Sequence, residues 1–168
     1  ELGIPLPVFS ADQAADLRSQ LPNFATVSNP LDYNTSLWGH EDLLAKCFST
    51  VMRGDFDAGM LVIDFATDGP ETELACLAAV RAILKACALH GKMPIVTSTL
   101  SELLPVHART EITAAKGAPM QGLEEALAAF AAVHRFAIRN RNRDLTKGAL
   151  GIPATPEAGQ TRRMLSEV

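Results

Sequence analysis

Ala58-Gly-Met-Leu-Val-Ile63 is an unbroken apolar run that ends at Asp64. A strand with one wet face alternates apolar and polar residues. A run without alternation reads as a strand buried on both faces, the pattern of a parallel sheet covered by helices. The flanking segments have helical period. A helix over about 41–53 carries Leu43, Leu44, Cys47, Phe48 and Val51 on one side and stops at Gly54. After the loop 65–70, Pro70 suits the first position of a helix over about 71–90 that stops at Gly91.

The same rhythm continues. Met93-Pro-Ile-Val-Thr97 is the next strand, with Ser98-Thr99 at its end. Pro105 belongs at the start of a helix over about 106–116, which Gly117 closes. A short strand at about 118–121 leads into a helix over about 123–140, with Leu123, Leu127, Phe130, His134 and Ile138 on one stripe. Towards the amino end, Ser10-Ala-Asp-Gln13 has the form of a capping box for a helix reaching about Gln20. Ala25-Thr-Val-Ser28 then reads as a short strand stopped by Asn29-Pro30-Leu31-Asp32, because a proline keeps the residue before it out of the helical region. Strand, short loop and helix in alternation predict an α/β fold with a parallel sheet and helices on both faces.

At 168 residues this is one domain's worth of chain, and 48% hydrophobic with 20% charged residues describes a globular protein. A net charge of −4 argues against nucleic acid as a partner, which needs a concentrated basic face. No apolar run reaches the roughly 18 residues that span a bilayer, and a membrane is not expected as a partner. The first residues lack the basic start and apolar core of a signal peptide. Cys47, Cys76 and Cys87 have no metal-like spacing and read as buried thiols, which suits a reducing cytoplasm. The chain opens at Glu1 inside what reads as the end of a structural unit, and so reads as a piece of a longer polypeptide.

In a parallel sheet the ligand edge is the carboxyl edge of the strands. Here that edge would collect Asn29 and Asp32, then Asp64 with the 65–70 loop, then Thr97 to Ser101. The loop leads into a helix amino terminus, where free N–H groups favour phosphate or carboxylate. Gly69 allows close backbone approach and Thr67 offers a hydroxyl, whereas Asp68 and Glu71 are anions that suit simple capping. Asp32 reads equally as a site carboxylate or a turn residue. Trp38 reads as a loop anchor. His134 reads as a core histidine and His90 as a helix-end cation; His40 reads as an exposed helix-start residue or as sharing a site with the Asn29–Asp32 turn, and His107 has no partner legible in sequence. The Arg135, Arg139, Arg141, Arg143 and Lys147 cluster reads as a helix end running into a solvated linker. No catalytic pair and no metal-ligand set is legible.

Taken in order, Gly3-Ile-Pro-Leu-Pro7, Leu21-Pro22, Asn29-Pro-Leu-Asp32, Asp57-Ala-Gly-Met-Leu-Val-Ile63, Met93-Pro-Ile-Val96 and Gly122-Leu-Glu-Glu-Ala126 resemble the succinyl-CoA-ligase-like domain of NDP-forming acyl-CoA synthetases. The resemblance implies a flavodoxin-like, three-layer domain over 1–143 that lacks its first strand–helix unit. It implies a linker over 144–168, where Arg162-Arg-Met-Leu-Ser-Glu167 leads towards an ATP-grasp domain. It further implies an acid–thiol ligase making acyl-CoA, ADP and phosphate from acid, CoA and ATP (or GTP, with Mg). The phosphohistidine would be carried by an upstream CoA-binding domain. Asn29, Asp32, Asp64, Thr67, Asp68 and Gly69 would then be substrate or phosphate contacts, with no cofactor held tightly by this chain alone. A homo-oligomer is compatible with the family. Ala66-Thr67-Asp68-Gly69 stands where succinyl-CoA synthetases have a glycine pair, so succinate is not implied. The alternative is a non-catalytic docking or regulatory module of a larger fusion. A receiver-type signalling domain would need a lysine where Met120-Gln121 stands, and a flavin carrier would need a Ser/Thr/Gly-rich phosphate loop.

Overall fold

The computed structural model describes residues 2–33, 35–66 and 69–149. Its elements run α1 (Ala11–Gln20), α2 (Glu41–Met52), β1 (Ala58–Val62), α3 (Pro70–His90), β2 (Met93–Ser98), α4 (Val106–Ala114), β3 (Ala118–Gln121) and α5 (Leu123–Ala149), with single turns of 3-10 helix at Thr35–Leu37 and Ser101–Leu103. The strands form one parallel sheet in the order β1-β2-β3. Parallel neighbours need crossover connections, and α3 and α4 supply them. The helices alternating with three parallel strands are consistent with an α/β, flavodoxin-like architecture.

Local chemistry sets the boundaries. Ser10 and Gln13 close a reciprocal capping box on α1. Gln13 then reaches across to the Thr50 and Val51 carbonyls of α2, each at 3.0 Å, answering acceptors the helix end leaves open. Pro70 opens α3 behind Gly69, and Gly91, in the left-handed region at φ 63, ends it. Between Leu123 and Ala149 there is no proline and the only glycine is Gly148, which lets α5 continue past the polar residues from Arg141 as far as Ala149.

α3 is the centre of the core. Ala78, Ala79, Ala82 and Ala86 are buried along it, and these small side chains let it seat against α2 and against β1 and β2. The approach is closest at Gly59 of β1, where an added Cβ would meet Met52 Sδ of α2 at 2.8 Å and Cys87 Sγ of α3 at 3.0 Å. Leu17, Leu44, Cys47, Val80, Val96 and Ile112 complete the same cluster. Each fully buried Leu, Ile or Val there contributes about 1.5–3 kcal/mol of transfer free energy. By contact the chain divides into two units, Glu1–Ala128, which holds the sheet, and Ala129–Val168. In the second unit His134 is half-buried, and Arg135, Arg139 and Arg141 are exposed.

One expected element takes a different form. Residues 25–28 are not a ladder strand. Ala25 and Val27 do pack against the core. However, the sheet has only the three strands β1 to β3 among the described residues, so this segment has no neighbour with which to exchange hydrogen bonds. The β-branched pattern reads as a strand, and the segment packs without forming one.

Candidate functional site

The pairing of Val62 with Thr97 in the β1–β2 register carries Asp64 and Thr99 out of the sheet side by side. The Asp64 carboxylate accepts the Thr99 backbone N–H at 2.7 Å through one oxygen and the Thr99 hydroxyl at 2.5 Å through the other. Both oxygens are thus engaged within the sheet edge. Phe65 follows, buried, its N–H donated to the Leu103 carbonyl at 2.9 Å. Gly69 caps α3 without any side-chain hydrogen bond, at φ 121, a conformation that glycine adopts without strain. Thr67 and Asp68, the other loop residues expected to contact phosphate, lie outside the described residues.

The 29–33 turn reaches the same end of α3 through Tyr33. Tyr33 packs edge-on to Phe48, with ring centroids 5.2 Å apart, and shares a hydrogen bond with Trp38. Burial, then the proximity of Cys76 and Asp32, push its hydroxyl up to about 12. Cys76, in the second turn of α3, donates its thiol to the Asp64 carbonyl at 3.5 Å. Burial, then the Asp64 and Glu73 carboxylates, raise this thiol above its ordinary value. It is fully buried and protonated at neutral pH, so it is not a nucleophile. Asp32 is exposed beside this group. The Asn29–Pro30 bond is cis, and Asn29 spends its amide on the Pro7 carbonyl at 2.9 Å. Asn29 is therefore a tie between the turn and the amino-terminal segment.

Two contacts were not legible from spacing. His107, in the first turn of α4, pairs through Nε2 with Glu73 of α3 at 2.9 Å and lies edge-on to Phe65 at 6.2 Å. At the other ends of the helices, His90 of α3 and Ser49 of α2 share a 2.8 Å hydrogen bond. A serine–histidine contact invites a catalytic reading, but no carboxylate orients His90 among the described residues, so it is a tie between two helix ends. His40 gives its backbone carbonyl to Leu44 at the start of α2, with no side-chain cap.

Asp32, Asp64, Tyr33, Cys76, Glu73, His107 and Gly69 thus gather around the first turns of α3. The rim is acidic, and its histidine is already paired with Glu73. No group of three or more His, Cys, Asp or Glu with metal-holding geometry occurs among the described residues. Nor is any helix there long and apolar enough to cross a membrane. No family model, no curated protein and no solved structure matches this chain.

Proposed function

We propose that this chain is the succinyl-CoA-ligase-like domain of an NDP-forming acyl-CoA synthetase, an acid–thiol ligase. The observation that carries the reading is the order of its motifs, from Gly3-Ile-Pro-Leu-Pro7 through Asn29-Pro-Leu-Asp32 to Gly122-Leu-Glu-Glu-Ala126, on a chain of alternating helices and parallel strands. In this reading Asp32 and the first turns of α3 face the reacting phosphoryl group, and the three free, buried cysteines suit a cytoplasmic protein. The CoA-binding and phosphohistidine-bearing domain and the ATP-grasp domain are the partners.

The residues of the carboxyl edge described here do not suit the anionic phosphates of a nucleoside triphosphate, and among the described residues no group of three or more His, Cys, Asp or Glu has metal-holding geometry. Asp64, Glu71 and Glu73 lie at the α3 amino terminus, and the His107 imidazole there is paired with Glu73. Nucleotide and CoA chemistry therefore falls to the partner domains. This chain contributes an edge that shapes the site and excludes water.

The test is acid- and CoA-dependent ADP release, measured on the polypeptide that contains this domain and on the 168-residue chain alone. The reading expects turnover from the former and background from the latter. A second reading, a docking or regulatory module, is favoured by one observation: Cys76, the thiol beside the carboxyl edge, is fully buried and hydrogen-bonded to the Asp64 carbonyl. That module would give no turnover in either sample.

A further inference from the structure

α3 and α4 end on the same kind of turn, with the two residues of that turn in opposite order. At the end of α3 the Lys92 N–H is donated to the Cys87 carbonyl at 2.9 Å, and Gly91 takes the left-handed conformation at φ 63. At the end of α4 the Gly117 N–H is donated to the Ile112 carbonyl, also at 2.9 Å, and the left-handed residue is Lys116, at φ 60. Lys116 is the only residue other than glycine with positive φ among the described residues. A lysine is strained there and a glycine is not. Attraction to the helix dipole would account for Lys92, but not for the reversed order at α4. The unstrained place for a lysine is position 117, and packing closes it: a Cβ at Gly117 would meet Ile112 Cγ2 at 2.8 Å and the Pro94 carbonyl at 3.2 Å. A lysine on this side of β2 therefore has to accept the left-handed position.

That placement brings a second ammonium to one cleft. Leu84 and Ala88 of α3 and Met93 and Pro94 of β2 line a cleft of about 430 Å³ together with Lys92 and Lys116. Apolar walls, a few charges and this volume are the features of a small-molecule site. The lining runs from Leu84 to Lys116, so α3, β2 and the end of α4 form the cleft from the middle of the chain. It contains no carboxylate, and neither lysine has an ion pair among the described residues. Asp57 comes opposite Lys92 when the β1–β2 register is carried back one residue, yet forms no ion pair with it.

We propose that this cleft binds a phosphate monoester of an apolar alcohol, with its phosphate at Lys92 and Lys116 and its hydrocarbon tail on Leu84, Ala88, Met93 and Pro94. Two ammonium groups without a carboxylate between them match the charge of a dianion, and a phosphate monoester carries about −1.5 to −2 at pH 7. An ammonium is a compact point charge that suits phosphate oxygens. The planar fork that grips a carboxylate bidentately belongs to arginine, and no arginine lines the cleft. Met93, 45% exposed at the start of β2, supplies apolar surface for the tail to cover. The cleft lies at the amino-terminal edge of the sheet, and the proposal does not depend on the ligase reading.

The probe is hexyl phosphate, titrated at neutral pH into the 168-residue chain and followed residue by residue through backbone amide NMR shifts. The shifts should centre on Ala88, Gly91, Lys92 and Lys116. Inorganic phosphate, hexanol and hexanoate are the comparison ligands; they lack the tail, the charge and the second negative charge respectively. Hexyl phosphate should bind at least about 5-fold more tightly than each, the scale of one screened surface charge or of one to two buried methylenes. Lys116→Gly should weaken its binding by at least about 5-fold and keep the melting temperature at or above the parent's, because glycine relieves the left-handed strain. A lysine that served only the helix dipole would lower the melting temperature on replacement and leave binding unchanged. Lys92→Gln should weaken binding to a similar degree, and it decides the matter if the turn variant fails to fold. No shifts at millimolar hexyl phosphate overturn the proposal, as do shifts centred on Gly69 at the carboxyl edge. So does a smaller ratio for any comparison ligand, or unchanged binding in either variant.

Discussion

Asp64 locks onto Thr99 across 35 positions of sequence, one carboxylate taking both the backbone N–H and the hydroxyl of a single residue. The contact joins the carboxyl ends of β1 and β2 and leaves the Asp64 oxygens engaged. Its first duty is therefore to hold the edge in shape. Asp64→Ala should destabilise the chain by about 1–2 kcal/mol, the range for charge-assisted hydrogen bonds discounted for partial exposure. That corresponds to roughly 2–8 °C in melting temperature for a chain of this size. Asp64→Asn, which keeps one acceptor, should lose about half as much. Urea melts of both variants decide it, and unchanged midpoints would mean the contact adds nothing.

Gly117 and Gly59 should respond differently to the same added methyl. At Gly59 the new Cβ meets the end of the Met52 side chain, at Sδ 2.8 Å and Cε 2.9 Å, which can swing aside. At Gly117 it meets Ile112 Cγ2 at 2.8 Å and two backbone oxygens, Ile112 O at 3.1 Å and Pro94 O at 3.2 Å. Backbone of a helix and of a strand does not yield so readily. Gly117→Ala should cost about 1–3 kcal/mol, the overpacking range, and Gly59→Ala distinctly less. Chemical denaturation of the two variants side by side tests the order.

The difference between local and long-range signals explains what the sequence made legible. The Ser10–Gln13 capping box, Pro70 at the start of α3, Gly91 at its end and the apolar run of β1 are set by neighbours within a few positions, and each was readable. Residues 25–28 carried a strand's composition, yet a ladder needs a partner, and no local pattern encodes one. The site follows the same division. The carboxyl-edge placement of Asp64 and Gly69 follows from strand–loop–helix order. The partners that define their roles, Thr99 for Asp64, Glu73 for His107 and Pro7 for Asn29, depend on how distant elements pack. Tyr33 carried no motif, and only its burial beside Cys76 and Asp32 brings it into the group.

Alkaline pH should unfold this chain sooner than neutral pH predicts. Burial pushes Cys47 and Cys87 from 9.0 up to about 11, and Tyr33 from 10.0 up to about 12. An unfolded chain releases the thiol protons near 9.0, whereas the folded chain keeps them to about 11. The unfolded state therefore binds fewer protons in that window, and stability falls as pH rises. Below 9.0 both states hold the thiol protons and this contribution is complete. Melting temperatures should be flat with respect to these groups at neutral pH and drop between about pH 9 and 11. Cys47→Ala should shallow that slope, whatever it does to the neutral value. A slope that does not change with Cys47→Ala would remove the buried thiol as its cause.

Asp32 is where the two functional readings separate. It is exposed, next to Tyr33, at the end of α3 where Asp64 and Gly69 also lie. Tyr33 holds the turn down through Phe48 and Trp38, so Asp32 is presented by packed residues. In an acyl-CoA-forming polypeptide that contains this domain, Asp32→Asn removes a charge and keeps the shape. Turnover should fall by about 10²-fold, the effect of losing one positioned polar group, with the melting temperature unchanged. Tyr33→Phe, one residue on, removes only the hydroxyl that meets Trp38 and should leave turnover within a few-fold of the parent. If Asp32→Asn lowers the melting temperature and turnover together, the carboxylate is shaping the turn. If neither moves, Asp32 has no part in the reaction and the docking-module reading gains.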